Sequence, residues 1–152
     1  MRGLKKVKAN NYKEKYVMKE GTFDYSSLEK ACKRLEEVLE RYNLNNQDEV
    51  IRDSVIQRFE FTYSIALKTI RKYFIERAFV VEDVNQMSFN DMIRTANQLK
   101  ILKSNLELWT KFREMRNLTS HTYNEELAQK VVDVVPAFYE EVEYLIKFFS
   151  GV

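Results

Sequence analysis

Apolar side chains recur every three or four residues along most of this chain, the mark of helices that each bury one stripe. The first stripe is Leu28, Ala31, Cys32, Leu35, Val38, Leu39 and Tyr42. It opens near Asp24 to Ser27, where Asp and Ser oxygens suit a helix N-terminus and Glu29 lies in the first turn. Asn43 to Gln47 breaks it with turn formers. A second pattern runs from about Asp48 to Arg77 through Val55, Ile56, Phe59, Tyr63, Ala66, Leu67, Ile70 and Phe74. Phe61 and Ile65 widen its apolar face, as expected of the central helix of a bundle. Its aromatic rings fall at core spacing and not in the basic setting of a base-stacking platform.

After a connection through Val80 to Met87, Ser88-Phe89-Asn90-Asp91 predicts a capped start for a short helix reaching roughly Leu102. Ser104 or Asn105 then caps a helix striped by Leu108, Phe112, Met115 and Leu118, with Arg113 and Arg116 flanking the stripe. The last helix starts at Asn124 and carries Leu127, Ala128, Val131, Val132, Val135, Phe138, Tyr139, Val142, Leu145, Ile146 and Phe149. Pro136 lies inside it and predicts a kink. With only 3 Gly and 1 Pro in 152 residues, the chain lacks the punctuation of hairpins and sheets. The expectation is an all-α, up-and-down helical bundle of the four-helix-bundle type, with about five helices.

Charge changes the picture at one end. Residues 1–20 hold seven basic against two acidic side chains, so +5 sits in that arm and −3 in the remainder of a chain whose net charge is +2. The chain is therefore read as a basic, loosely held arm over 1–20 and one bundle domain over 21–152. The arm is either a solvated tail or a phosphate contact. A net +2 does not by itself identify a nucleic-acid binder. Cys32, the single cysteine, falls on the first stripe and reads as a small core residue. No apolar stretch approaches the roughly 20 residues that a membrane span needs. Nor does a signal-peptide pattern follow the basic start. The expected setting is soluble and cytoplasmic.

The candidate chemistry lies in Arg116-Asn117-Leu118-Thr119-Ser120-His121-Thr122-Tyr123, an R-x-x-x-x-H-x-Y string holding the chain's single histidine. Imidazole is the side chain that both takes and gives a proton near neutral pH. A guanidinium is a fixed positive fork matched to phosphate. Together they suggest phosphodiester chemistry without a metal or cofactor.

On one continuous helix, Arg116 and His121 would stand about 140° apart and could not share a phosphate. Thr119, Ser120 and Thr122 are poor helix formers and Asn124 is a good cap, so a break between Leu118 and Asn124 is expected. Such a break could bring the two residues to one exposed corner. The competing reading makes His121 a helix C-cap, pairs Arg116 with a carboxylate and packs Tyr123 in the core.

Several segments together resemble a known family. They are Asp24-Tyr25-Ser26-Ser27-Leu28-Glu29-Lys30, Gln57-Arg58-Phe59-Glu60-Phe61-Thr62-Tyr63 with Leu67-Lys68-Thr69, Trp109, and Arg116 through Tyr123. In order and separation they are similar to the nucleotidyltransferase substrate-binding protein family of the HEPN superfamily of helical bundles. The resemblance spans about residues 22–149. Leu67 stands where members typically have Trp, Ser64 where they have a carboxylate, and residues 98–104 lack the family's usual glycine.

The resemblance implies a minimal nucleotidyltransferase as partner in a two-component, toxin-antitoxin-like module. It also implies metal-independent endoribonuclease chemistry with RNA as substrate. His121 would then be the general acid or base, Arg116 would stabilise the phosphorane, and Asn117 and Arg113 would bind substrate. Tyr123 matches the position that the partner can adenylylate; a tyrosine that merely holds the motif in shape is the alternative. With one histidine per chain, separate acid and base groups call for two copies of the motif in one cleft, and so for a homodimer. The alternative function is a non-catalytic substrate-binding subunit of the nucleotidyltransferase.

Overall fold

The computed structural model describes residues 23–77 and 79–151. The expected basic arm over 1–20 lies outside them. The elements are α1 (Ser26–Leu44), α2 (Glu49–Glu76), α3 (Val81–Asn85), α4 (Phe89–Gln98), α5 (Leu106–Leu118), a 3-10 turn (Thr119–His121) and α6 (Glu125–Ser150). Among the described residues there is no strand, and the fold is an all-α bundle. Its frame is α1, α2 and α6 packed on one another, with α5 against α6 and α2. α3 lies on α2 and α4 on α5. Among the described residues no helix is long and apolar enough to cross a membrane.

The helix starts follow from local side chains. Asp24 Oδ1 accepts from the Ser26 amide at 3.0 Å and the Ser26 hydroxyl at 2.7 Å, which turns the chain into α1. Asp48 Oδ1 accepts from the amides of Val50 (2.8 Å) and Ile51 (3.3 Å) at the head of α2. Ser88 and Asn105 serve α4 and α5 in the same way. Each satisfies amides that a helix N-terminus leaves open. α6 runs through Pro136 as one element, with the proline on its exposed side.

Two expectations are corrected. The segment from Val80 to Met87 is not a bare connection, since α3 folds within it and buries Val84 against the core. The helix expected to reach Leu102 ends at Gln98. There the Ile101 amide donates to Ala96 O at 2.9 Å and the Lys100 amide to Asn97 O at 3.0 Å, while Lys100 takes a left-handed φ of 62°. This is a Schellman turn with lysine at the position that glycine usually fills. The turn releases Ile101 and Leu102 from the helix and lets both enter the core.

The centre of the bundle is aromatic. Phe59 of α2 and Phe112 of α5 meet Phe138 of α6 edge to face at 5.1 and 5.3 Å, and Trp109 meets Phe112 at 5.2 Å. Such pairs fix relative orientation beyond what area burial gives. Beside them lies a buried carboxylate that hydrophobic patterning does not anticipate. Glu141 of α6 is 1% exposed. Its Oε1 accepts from Trp109 Nε1 at 3.1 Å and from the Ser104 amide at 3.3 Å, while its Oε2 accepts from the Ser104 hydroxyl. Three donors satisfy an acceptor that would otherwise be costly to bury. Cys32 is buried as expected; burial, with the nearby Glu143 and Glu36 charges, pushes its thiol up to about 12.

Glu141→Ala strands a buried indole N–H and a serine hydroxyl, and is expected to lower unfolding free energy by about 2–4 kcal/mol in urea titration. Lys100→Gly relieves the left-handed strain and is expected to raise it by about 0.5–1 kcal/mol, whereas Lys100→Val lowers it. An unchanged midpoint in Lys100→Val would remove the strain argument.

Candidate functional site

α5 stops where its side chains stop favouring helix. Beyond Leu118 the hydroxyls of Thr119, Ser120 and Thr122 compete for main-chain hydrogen bonds. The chain tightens into the Thr119–His121 turn, which packs on α2, α5 and α6. Thr119 Oγ1 donates to Arg116 O at 2.8 Å and Thr122 Oγ1 to Thr119 O at 3.1 Å. Then the Asn124 amide donates to His121 O at 3.2 Å, and Asn124 Oδ1 accepts from the amides of Glu126 (2.8 Å) and Leu127 (3.1 Å). The expected interruption between Leu118 and Asn124 is thus built from three side chains of the motif region, Thr119, Thr122 and Asn124.

That interruption turns the two ends of the motif to different neighbours. His121 is exposed, and among the described residues none is hydrogen-bonded to its imidazole. Threonine hydroxyls, not the imidazole, take up the carbonyls of Arg116 and Thr119. Tyr123 is 86% exposed and is no core tyrosine; its ring stands 6.4 Å from that of His121, at 68°. Arg116, in the last turn of α5, places Nη1 3.3 Å from Glu60 Oε2 of α2. The carboxylate pairing in the competing reading is therefore present, and its capping histidine and buried tyrosine are not. Among the described residues no hydrogen bond or ion pair joins Arg116 directly to His121. They are neighbours through the turn.

Arg113, Arg116 and Asn117 occupy one face of α5, since residues three and four apart adjoin on a helix. Arg113 is exposed and holds its guanidinium 4.7 Å from the Phe89 ring of α4. Asn117 is exposed. Behind them Tyr63 of α2 is 6% exposed. Burial pushes its phenol up to about 12, against the opposing pull of the Arg113 and Arg116 charges. The region where α5 meets the turn thus carries an exposed imidazole, two guanidiniums, an exposed phenol and a carboxylate. Glu60, Tyr63 and Phe89 are neighbours that motif spacing did not reveal, because they come from other helices. The one hint in the sequence was the Gln57-Arg58-Phe59-Glu60 segment.

Residues 23–150 match the family described as nucleotidyltransferase substrate binding protein like. A relative from Haemophilus influenzae named "Probable ribonuclease HepT" is 29% identical over 115 residues, 73% of this chain and 78% of that protein. A solved Haemophilus influenzae structure, described as having "the fold of a substrate binding domain of a nucleotidyltransferase", superposes with a TM-score of 0.77 at 26% identity. That superposition covers 84% of this chain and 99% of the other. The matched span takes in the six helices of the described residues and the corner between α5 and α6, and this chain belongs to the nucleotidyltransferase substrate-binding protein family.

Proposed function

We propose that this chain is the HEPN-type, toxin-like subunit of a two-component nucleotidyltransferase module, and that it is a metal-independent endoribonuclease acting in the cytoplasm. The observation that carries the reading is the hydroxyl-capped break between α5 and α6. It leaves the single histidine exposed, with no hydrogen bond to its imidazole among the described residues, in the turn that directly follows the end of α5 carrying Arg116. The name of the Haemophilus influenzae ribonuclease relative supports the same chemistry.

In this mechanism an RNA 2′-hydroxyl attacks the adjacent phosphorus. A P–O bond to the 2′-oxygen forms and the bond to the 5′-oxygen breaks, leaving a 2′,3′-cyclic phosphate and a 5′-hydroxyl. His121 takes the 2′-proton or delivers a proton to the leaving oxygen. Arg116 stabilises the phosphorane charge, with Arg113 and Asn117 holding flanking phosphates. Each chain has one histidine, so two facing motifs in a homodimer supply acid and base together.

The exposed Tyr123 phenol is the site at which the partner nucleotidyltransferase regulates the subunit. Its oxygen attacks the α-phosphate of ATP, pyrophosphate leaves and the phenolic proton passes to the partner. The adenylyl group then brings bulk and negative charge to the place where RNA binds. A second reading, a non-catalytic subunit that presents substrate to the nucleotidyltransferase, is favoured by the description of the solved relative.

Cleavage of transfer and total RNA in EDTA separates the two. His121→Ala is expected to lose ~10²–10⁴-fold in rate, and wild-type fragments should end in cyclic phosphate. Arg116→Lys should lose most of the activity, because an ammonium cannot replace the planar fork. Light scattering should give twice the chain mass. A well-folded wild-type dimer that leaves RNA intact contradicts the nuclease reading and favours the substrate-binding one.

A further inference from the structure

Arg116 is not alone at the corner, and its partner is chemically unexpected for a phosphate site. The guanidinium of a residue proposed to meet RNA already faces a carboxylate, Glu60 Oε2, at 3.3 Å. Both side chains are partly open to solvent, 35% exposed for Arg116 and 41% for Glu60. A pair so exposed adds little to folding stability. An anion beside a phosphate site also opposes substrate binding. A group with little structural value and an unfavourable charge calls for another role.

The surrounding geometry supplies it. Arg116 sits in the last turn of α5, one residue pair before the chain leaves the helix. Its backbone carbonyl is fixed by Thr119 Oγ1, which settles the main chain but not the long side chain. Glu60, by contrast, projects from the interior of α2, the 28-residue helix that forms the central wall of the bundle. Its neighbours one residue before and three after, Phe59 and Tyr63, are buried at 0% and 6% exposure. The carboxylate is thus mounted on a rigid part of the fold, and the arginine is mounted on an end. A guanidinium has five donors, so one edge can be held while another meets a phosphate.

Resting on the ribonuclease reading, we infer that Glu60 is a positioning residue, which grips one edge of the Arg116 guanidinium so that the remaining donors stand ready for the scissile phosphate. It does not touch RNA. It trades some substrate affinity for a preorganised fork, so that the arginine does not have to be ordered as charge develops on the phosphorane.

This trade gives a signature that a structural ion pair does not. Removing the carboxylate takes one repulsive charge from the neighbourhood of the phosphate and frees the arginine. Affinity should rise while turnover falls. At a separation of ~6 Å in a water-like dielectric, one charge corresponds to about threefold in affinity, diminishing as salt is raised. Loss of fork orientation is expected to lower kcat by ~10–100-fold in Glu60→Ala. Glu60→Gln, which keeps the size and a carbonyl acceptor, should recover part of that loss.

The test uses the full chain with Glu60→Ala, Glu60→Gln and a control, Glu37→Gln. The control removes a carboxylate of the same charge from an ion pair with Arg58, at 3.9 Å on the α1 side. Steady-state cleavage of a short RNA is measured beside binding of the same RNA with a 2′-deoxy nucleotide at the cut, at two salt concentrations. Thermal unfolding checks that each variant is folded. The expected result is tighter binding and lower kcat for both Glu60 variants, with Ala worse than Gln and the control unchanged. Unchanged kcat in Glu60→Ala, weaker binding, or the same response from the control overturns the inference. If wild type cleaves no RNA, the nuclease reading itself has failed. Binding then decides, and unchanged affinity in Glu60→Gln rejects any role for this carboxylate at a phosphate site.

Discussion

A single buried carboxylate ties the short helices of this bundle to the long ones. Glu141 reaches from α6 to the indole of Trp109 and to both the amide and hydroxyl of Ser104. An unpaired charge there would be severely destabilising, so the geometry admits little variation. Ser104 in turn accepts from the Asn97 amide, so the link between α4 and α5 is fixed at the same point. The Phe59, Phe112 and Phe138 rings then hold the middle of α5 between α2 and α6. A helix fixed at its beginning and middle delivers its end to a defined place. Arg113, Arg116 and Asn117 lie on that end.

The corner between α5 and α6 is open because the chain forgoes helix there. Continuing α5 through residue 121 would have added hydrogen bonds and placed His121 and Arg116 on different faces. Instead two threonine hydroxyls and an asparagine cap take up the main-chain groups, and a 3-10 turn carries the histidine outward. Side chains offset part of the local cost: the Thr119 and Thr122 hydroxyls take up the carbonyls of Arg116 and Thr119, and Asn124 takes up the amides of Glu126 and Leu127. What remains available at the surface is an imidazole, a phenol and a guanidinium whose other side faces Glu60.

Periodicity made most of the frame legible. The stripes bury from Leu28 to Val38, at Val55, Ile56, Phe59, Tyr63, Ala66, Ile70 and Phe74, and from Ala128 to Leu145, because burial of a repeated face dominates helix packing. Leu39, Tyr42 and Leu67 are only half-buried, and Phe61, expected to widen the buried face of the second helix, is instead exposed to solvent. The break after Leu118 was legible for a different reason, the local chemistry of Thr, Ser and Asn. Local rules failed where tertiary demands outweighed them. Lys100 accepts a left-handed conformation so that Ile101 and Leu102 can enter the core, and no propensity points to lysine there. Glu141 occupies an interior position on an otherwise apolar stripe, and its donors lie more than thirty residues away in sequence. The pairing of Glu60 with Arg116 is equally non-local. Spacing within one helix carries no information about which side chain of another helix will face it.

The proposed chemistry requires one phosphate to reach both Arg116 and His121. The direct measurement is a crystal structure of the full chain bound to a short RNA blocked by a 2′-deoxy nucleotide at the cleaved step. The expected result is a scissile phosphate within hydrogen-bond distance of the Arg116 guanidinium and of a His121 imidazole, with Glu60 still against the guanidinium's far edge. RNA bound on another face, with His121 turned to solvent and Arg116 meeting no phosphate, would contradict it.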